Sequence, residues 1–200
     1  MQMVDHTGRA SETWRDEASS NALSSVSKGK RFPRKVFAGR WASYLFFEPS
    51  VLFEEEFISI KDFLLQHNND RAIALLNLGN RTELLNTSEV FIFESSTTWR
   101  DYLVRLVGDG SALNWMFLMD RYVCASNRGN WAIYCEKEND LAAFAVGDGF
   151  SSANLSRLAR LLKGRSINQP VVPTDEDSFD FSRLVPTWKL ILDSEYGKIK

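Results

Sequence analysis

Histidine and cysteine, the side chains best suited to proton transfer at neutral pH and to zinc binding, are rare in this 200-residue sequence. The chain has only two histidines and two cysteines. His67 precedes Asn68, Asn69 and Asp70 and could act as a general base, but a histidine also suits the end of a helix, where its charge interacts well with the helix dipole. Nothing near His67 in the sequence completes a triad, so an enzyme that uses His67 stays an alternative.

Metal binding through histidine or cysteine is not expected. A structural zinc site uses four ligands at short, paired spacings, and His67, Cys124 and Cys135 are not spaced in that way. The chain holds no other histidine except His6. The sequence therefore predicts no catalytic residue, no metal site and no cofactor.

Two glycine turns are a second possible enzymatic feature. Residues 108–110 and 147–149 both read Gly-Asp-Gly, and the first resembles the Gly-Gly-Asp-Gly-Thr motif of the diacylglycerol-kinase and NAD-kinase superfamily, which contacts nucleotide phosphate. Val107 stands where that motif has its first glycine, and the first segment is predicted to join a helix to a strand rather than a strand to a helix. Asp-Gly is also an ordinary turn dipeptide, so an enzyme that uses these turns is kept as an alternative.

Carboxylates beside phenylalanines form the candidate binding surface. They occur in the runs FEEEF (53–57) and TDEDSFD (174–180), neither of which follows the ligand order of a calcium loop. Apolar anchors among acids suit a basic protein partner, because the anchor gives affinity and the charges speed association. The predicted partner-binding residues are Glu54, Glu55, Glu56, Tyr134, Glu136, Glu138, Asp140, Asp175, Glu176, Asp177 and Phe179.

The charge distribution separates the first forty residues from the rest. The formal net charge is −2, but residues 1–40 hold eight Lys or Arg and four Asp or Glu, so the other 160 residues carry −6. The stretch from Lys28 to Arg40 has six cations and no acid, interleaved with phenylalanine, a pattern that could bind nucleic acid. Because the stretch is short and the body is acidic, a nucleic-acid adaptor is kept as an alternative to a basic protein partner.

Composition and periodicity predict one domain preceded by a tail. Residues 1–36 are rich in polar and charged residues without a sustained period of 2 or 3.6, which favours a flexible tail. Residues 37–200 are long and apolar enough for a single core. No stretch reaches the roughly 20 apolar residues of a membrane span, and the first thirty residues lack a secretory apolar run, so a cytoplasmic protein without membrane contact is expected.

The apolar pattern of residues 37–200 predicts an α+β fold in which an antiparallel β-meander packs with amphipathic helices. Helices are predicted near 97–107 and 152–163, where apolar residues recur at helical spacing, and in two shorter segments, SIKDFLL (59–65, capped by Ser59) and the stretch from Pro186 or Thr187. Apolar runs of strand length are WASYLFF (41–47), AIALLNL (72–78) and EVFIFES (89–95).

Three further strands, near 114–125, 130–137 and 141–146, are predicted to form the meander. Two-residue turns at 128–129 and 138–139 define one register for the three strands. In this register both strand pairs place apolar residues on a common face, and this agreement favours it over other registers. The predicted pairs are Ala125/Ala132, Cys124/Ile133, Val123/Tyr134, Tyr122/Cys135, Arg121/Glu136, Cys135/Ala142, Ile133/Phe144 and Trp131/Val146. Cys124 and Cys135 are then diagonal neighbours, about 7–8 Å apart and too far for an unstrained disulfide, so both are predicted to be buried thiols.

The meander also resembles a known class of protein. In several immunity-protein families of bacterial polymorphic-toxin systems, an aromatic strand of the type W-x-[IL]-Y is followed by an acidic turn and an apolar strand. The resemblance covers residues 127–146, and the matching positions are Trp131, Ile133, Tyr134, Glu136, Glu138 and Asp140. It implies a non-catalytic cytoplasmic protein that binds and blocks a cognate toxin, often a basic nuclease, through acidic and aromatic surface residues.

Overall fold

A computed structural model describes residues 6–78, 90–107, 120–168 and 178–197, with side chains from residue 12 onward. The helices are α1 (His6–Ser24), α2 (Glu56–Asn68), α3 (Trp99–Val107), α4 (Ser152–Leu161) and α5 (Pro186–Tyr196), and short 3₁₀ turns cover Pro49–Phe53 and Phe181–Arg183. The strands are β1 (Ser43–Phe47), β2 (Ile73–Asn77), β3 (Val90–Phe93), β4 (Arg121–Ser126), β5 (Trp131–Glu136) and β6 (Leu141–Val146). The predicted α+β class is confirmed.

The six strands form one antiparallel sheet in the order β1-β6-β5-β4-β2-β3. Every pair predicted for the meander is present, from Arg121 opposite Glu136 to Trp131 opposite Val146. Of the strand predicted near 114–125, residues 114–119 lie outside the described part. Helix α2 begins at Glu56, three residues before the predicted cap Ser59, while α5 begins at Pro186 as predicted.

The sheet is covered on both faces, which explains why β2, β5 and β6 are buried at every position instead of alternating. Helices α2, α3 and α4 pack on one face, where Trp131, Ile133 and Phe144 share a core. Helices α1 and α5 and the segment 26–37 cover the other face. The chain is therefore a helix–sheet–helix sandwich with a central six-stranded layer.

The N-terminal region differs from the expected flexible tail. Helix α1 packs on β2 and β4 with Ala18 and Ala22 fully buried. The side-chain amide of Asn21 donates hydrogen bonds to the carbonyl oxygens of Ser126 (3.0 Å) and Asn127 (2.9 Å). Small residues let the helix approach closely but give little apolar periodicity, which is why the sequence pattern did not reveal α1.

Gly129 allows this approach at the β4–β5 turn. Its φ of +64° suits the turn, and a Cβ at this position would lie only 2.9 Å from Cγ of Asn21. A side chain at residue 129 would therefore push α1 away from the sheet as well as strain the turn.

Both cysteines are free and fully buried, as predicted. Burial raises the pKa of the Cys124 and Cys135 thiols, so the reactive thiolate form is suppressed. We expect a thiol reagent to modify two equivalents in denaturant and far fewer in native buffer. A loss of two hydrogens in the intact mass after purification under reducing conditions would contradict this expectation.

Candidate functional site

The structure does not bring the predicted acidic-aromatic residues together on one surface. Glu54, Glu55 and Glu56 are exposed side by side, and Glu138 and Asp140 are exposed on the β5–β6 turn. Residues Asp175, Glu176 and Asp177 lie outside the described part of the chain. Three predicted contact residues are buried, with relative exposures of 1% for Tyr134, 1% for Glu136 and 5% for Phe179.

The burial of Glu136 corrects its predicted role. Its Oε1 accepts hydrogen bonds from the backbone N–H of Phe32 (3.0 Å) and the hydroxyl of Tyr134 (2.6 Å). Its Oε2 accepts a hydrogen bond from the amide of Asn139. The carboxylate is thus used inside the fold, where it holds the segment 26–37 against the sheet, and neither it nor Tyr134 is exposed on the surface of this fold.

The exposed carboxylates of Glu54, Glu55 and Glu56 stand where the 3₁₀ turn Pro49–Phe53 leads into α2. Negative charge is favourable at this end of a helix because the helix dipole places partial positive charge there. We call these three residues the acidic rim. Glutamates at a helix start can be a solvated face or a binding surface. The neighbouring side chains and the adjoining cavity are therefore the features that bear on a binding role.

Of the two phenylalanines beside the acidic rim, Phe57 belongs to the core and Phe53 is partly buried against it. Phe57 is 1% exposed, with its ring 5.3 Å from that of Phe93, and Phe53 packs edge-on against Tyr122, also at 5.3 Å between ring centroids. The predicted apolar anchors are therefore directed inward. They fix the backbone that carries the rim, and the surface offered to a partner is mainly acidic, with only the exposed part of Phe53 as an aromatic contribution.

A polar cavity of about 290 Å³ adjoins the acidic rim. Glu48 forms an ion pair with Arg183 on its wall, and the backbone N–H of Phe179 donates to the carbonyl of Lys163 (2.8 Å). The full lining is Glu48, Ser50, Val51, Glu54, Leu162, Lys163, Ser178, Phe179 and Arg183. Glu54, from the first acidic run, therefore lines the same cavity as Ser178. Ser178 directly follows the second acidic run, 175–177, in the sequence.

The chemistry of this cavity is that of ion pairing and hydrogen bonding. Its carboxylates, Glu48 and Glu54, can accept hydrogen bonds from cationic side chains, and charge-assisted bonds of this kind are stronger than neutral ones. Within the described ranges, no group of three His, Cys, Asp or Glu side chains could hold a metal ion.

The residues considered for catalysis lie in separate surroundings. His67 is exposed on the last turn of α2, with its ring 4.4 Å from that of Phe63. Asp70 is buried, and its Oδ2 accepts a hydrogen bond from the indole N–H of Trp131 (2.8 Å). Residues 108–110 are outside the described part, and residues 147–149 join β6 to α4, whose N-terminus Ser151 caps.

Sequence reasoning missed a second cleft, of about 500 Å³, between α1 and the loops at the end of α2 and β3. The guanidinium of Arg71 lies 4.1 Å from the centre of the Trp14 ring, and Arg15 forms an ion pair with Glu94 (2.9 Å). Asp70 also lines it; burial raises the pKa of this carboxyl group, against the opposing effect of the Trp131 N–H. These contacts join residues that are far apart in the sequence. Because residues 1–36 were predicted to be a flexible tail, no contact between α1 and the rest of the fold was expected.

The fold and the acidic rim define an α+β protein with a six-stranded antiparallel sheet between two helical layers and a polar cavity at one edge of the acidic run. No family model, curated protein or solved structure matches this chain. Among the helices of the described residues, none combines the length and the apolar character needed to cross a membrane.

Proposed function

We propose that this protein binds a basic protein partner through the acidic rim, and that it acts as an immunity protein of the kind that the 127–146 resemblance implies, neutralising a toxin by occupying its basic surface. The observation that supports the proposal best is the exposure of Glu54, Glu55 and Glu56 at the edge of a cavity that also contains Glu48. The three adjacent exposed carboxylates attract cationic side chains, while Glu48 is already paired with Arg183.

The backbone of the acidic rim is well suited to this role because it is held in place before binding. The buried Phe57 and the packed Phe53 flank the three glutamates, and the N–H groups of Phe57 and Ile58 donate to the carbonyls of Glu54 and Glu55, both at 3.0 Å. A fixed backbone reduces the ordering cost of association. The charges then act mainly on the rate of association, since exposed charges steer a partner of opposite sign.

The proposal predicts that simultaneous Glu54→Lys, Glu55→Lys and Glu56→Lys substitutions slow association with the partner by about tenfold or more. The partner would first be isolated with the wild-type chain as bait, and association rates would be measured by stopped flow at several salt concentrations. Raised salt should slow the wild-type reaction in the same way, because exposed charges are screened over about 8–10 Å. Thermal unfolding would check that the variant is folded.

A matched control is available on α1, where Glu12, Asp16 and Glu17 are exposed. Their reversal to lysine changes the net charge by the same amount, so it should leave most of the association rate intact if the rim is the contact. Reversal of Asp175, Glu176 and Asp177 tests the second acidic run in the same assay. An unchanged rate for the rim variant, or a captured partner without a basic surface, would overturn the proposal.

A further inference from the structure

The basic segment after α1 forms a fixed loop, which we call the cationic loop (residues 28–35). Phe32 anchors its centre: it is 4% exposed, and its ring lies 5.2 Å from that of Tyr134 and 6.3 Å from that of Tyr196. The backbone N–H of Phe32 donates to the buried Glu136 (3.0 Å). The buried ring of Phe32 and its hydrogen bond to Glu136 therefore hold the loop against the sheet.

Further hydrogen bonds fix both halves of the cationic loop. The N–H of Lys30 donates to the carbonyl of Ser27 (3.2 Å), and the carbonyl of Arg34 accepts bonds from the Tyr196 hydroxyl (2.9 Å). Arg31 pairs with Asp120 (2.8 Å) and Glu138 (3.3 Å), which ties the loop to the start of β4 and to the β5–β6 turn. The remaining cations of the loop therefore project from a rigid base.

Three of these cations are exposed and uncompensated. Lys28, Lys30 and Arg34 are exposed, and none has an ion-pair partner among the described residues. Lys30 and Arg34, together with the paired Arg31, line a concave space of about 410 Å³ whose whole lining comes from residues 29–34 of this loop, and Lys28 lies just before it in the chain. A preorganised concave group of cations is the usual geometry for binding an extended anion.

The position of the aromatic rings limits the kind of anion. Phe32 and Phe37, which made the segment resemble a nucleic-acid-binding stretch, are 4% and 2% exposed, so neither offers a face on which a base could stack. Among the candidate contact groups only the cations are available, and contacts from Lys and Arg to phosphate carry no sequence information. We propose that the cationic loop is a binding site for the phosphodiester backbone of nucleic acid, without base recognition, and that this site is independent of the acidic rim.

An anionic membrane surface shares this charge chemistry, but the geometry favours a phosphodiester chain. A narrow chain can enter a concave site, whereas a bilayer presents a broad surface. The phenylalanines that could insert between lipids face the core instead, and insertion of such residues is what strengthens peripheral membrane binding.

The test uses the full chain and a fluorescein-labelled oligothymidylate, with binding followed by fluorescence anisotropy over a range of salt concentrations. Three phosphate contacts predict a slope of about −2 in a plot of log binding constant against log salt. The combined Lys28→Gln, Lys30→Gln and Arg34→Gln variant should bind about tenfold or more weakly at low salt and show a slope near zero. An oligonucleotide of mixed sequence should bind as oligothymidylate does.

The control removes three exposed cations elsewhere, by Arg100→Gln, Arg160→Gln and Lys189→Gln. It changes the net charge equally, so an equal loss of binding in both variants would show that only total charge matters and would overturn the proposal. Absence of oligonucleotide binding at low salt would also overturn it. Loop-dependent binding to phosphatidylserine vesicles without oligonucleotide binding would assign the loop to membranes instead.

Discussion

Replacement of Trp131 by alanine is expected to lower the free energy of unfolding by about 3–5 kcal/mol. Trp131 is fully buried in β5 and stacks on Phe144, with ring centroids 5.5 Å apart and planes at 13°. Its indole N–H donates to Oδ2 of the buried Asp70 (2.8 Å). The substitution therefore opens a large cavity and leaves a carboxylate without its donor, and the loss is a large fraction of the roughly 5–15 kcal/mol by which a typical domain is stable.

A Trp131→Phe variant separates the two effects. It keeps much of the packing but removes the donor, so the cost from an unpaired Asp70 should be about 1–3 kcal/mol. Burial raises the pKa of Asp70, while the indole N–H lowers it. Without the indole the ionised carboxylate is disfavoured further in the folded state only, so the destabilisation should grow as the pH rises from acid, where Asp70 is protonated in both states, to neutral.

Urea unfolding of the Trp131→Phe variant and the wild type across this pH range measures the effect. In the Trp131→Phe, Asp70→Asn double variant the group that titrates is gone, so the additional pH dependence should disappear. A loss of stability in Trp131→Phe that is the same at every pH would show that packing alone accounts for the role of Trp131.

The meander could be predicted from the sequence because its determinants are local. The two turns fix the register, and every pair from 121/136 to 131/146 follows from their positions. The helix at Pro186 has an equally local signal, since proline suits the first turn of a helix. Local turn chemistry and apolar periodicity were sufficient for these elements.

The roles of α1 and of the candidate site residues could not be predicted in the same way. Ala18 and Ala22 pack against a sheet face that contains Ala74 and Ala125, and alanines give almost no amphipathic signal. Glu136 looked exposed because it ends a strand beside an acidic turn. It is buried because the cationic loop, about a hundred positions earlier in the chain, covers it. A contact between two segments so far apart in the sequence cannot be predicted from the local pattern of either segment.

Glu136 gives the second prediction with a large effect. Replacement by alanine should lower the free energy of unfolding by about 1–3 kcal/mol for each buried donor that loses its acceptor. The N–H of Phe32 and the hydroxyl of Tyr134 would lose their common acceptor. Because this acceptor is also the anchor of the cationic loop, tryptic cleavage after Lys28, Lys30 or Arg34 should become faster under native conditions.

Two single substitutions test whether the hydrogen-bond pattern, rather than the bulk of the side chain, is responsible. Glu136→Gln keeps an acceptor for Phe32 and Tyr134, and the side-chain amide of Asn139 can turn so that its oxygen accepts from the new amide. Glu136→Met keeps the bulk of the side chain but offers no such acceptor. The glutamine variant should therefore retain more stability and more protease protection than the methionine variant. If Glu136→Ala leaves loop cleavage unchanged, or the glutamine and methionine variants lose the same stability and protection, Glu136 does not anchor the loop through these bonds.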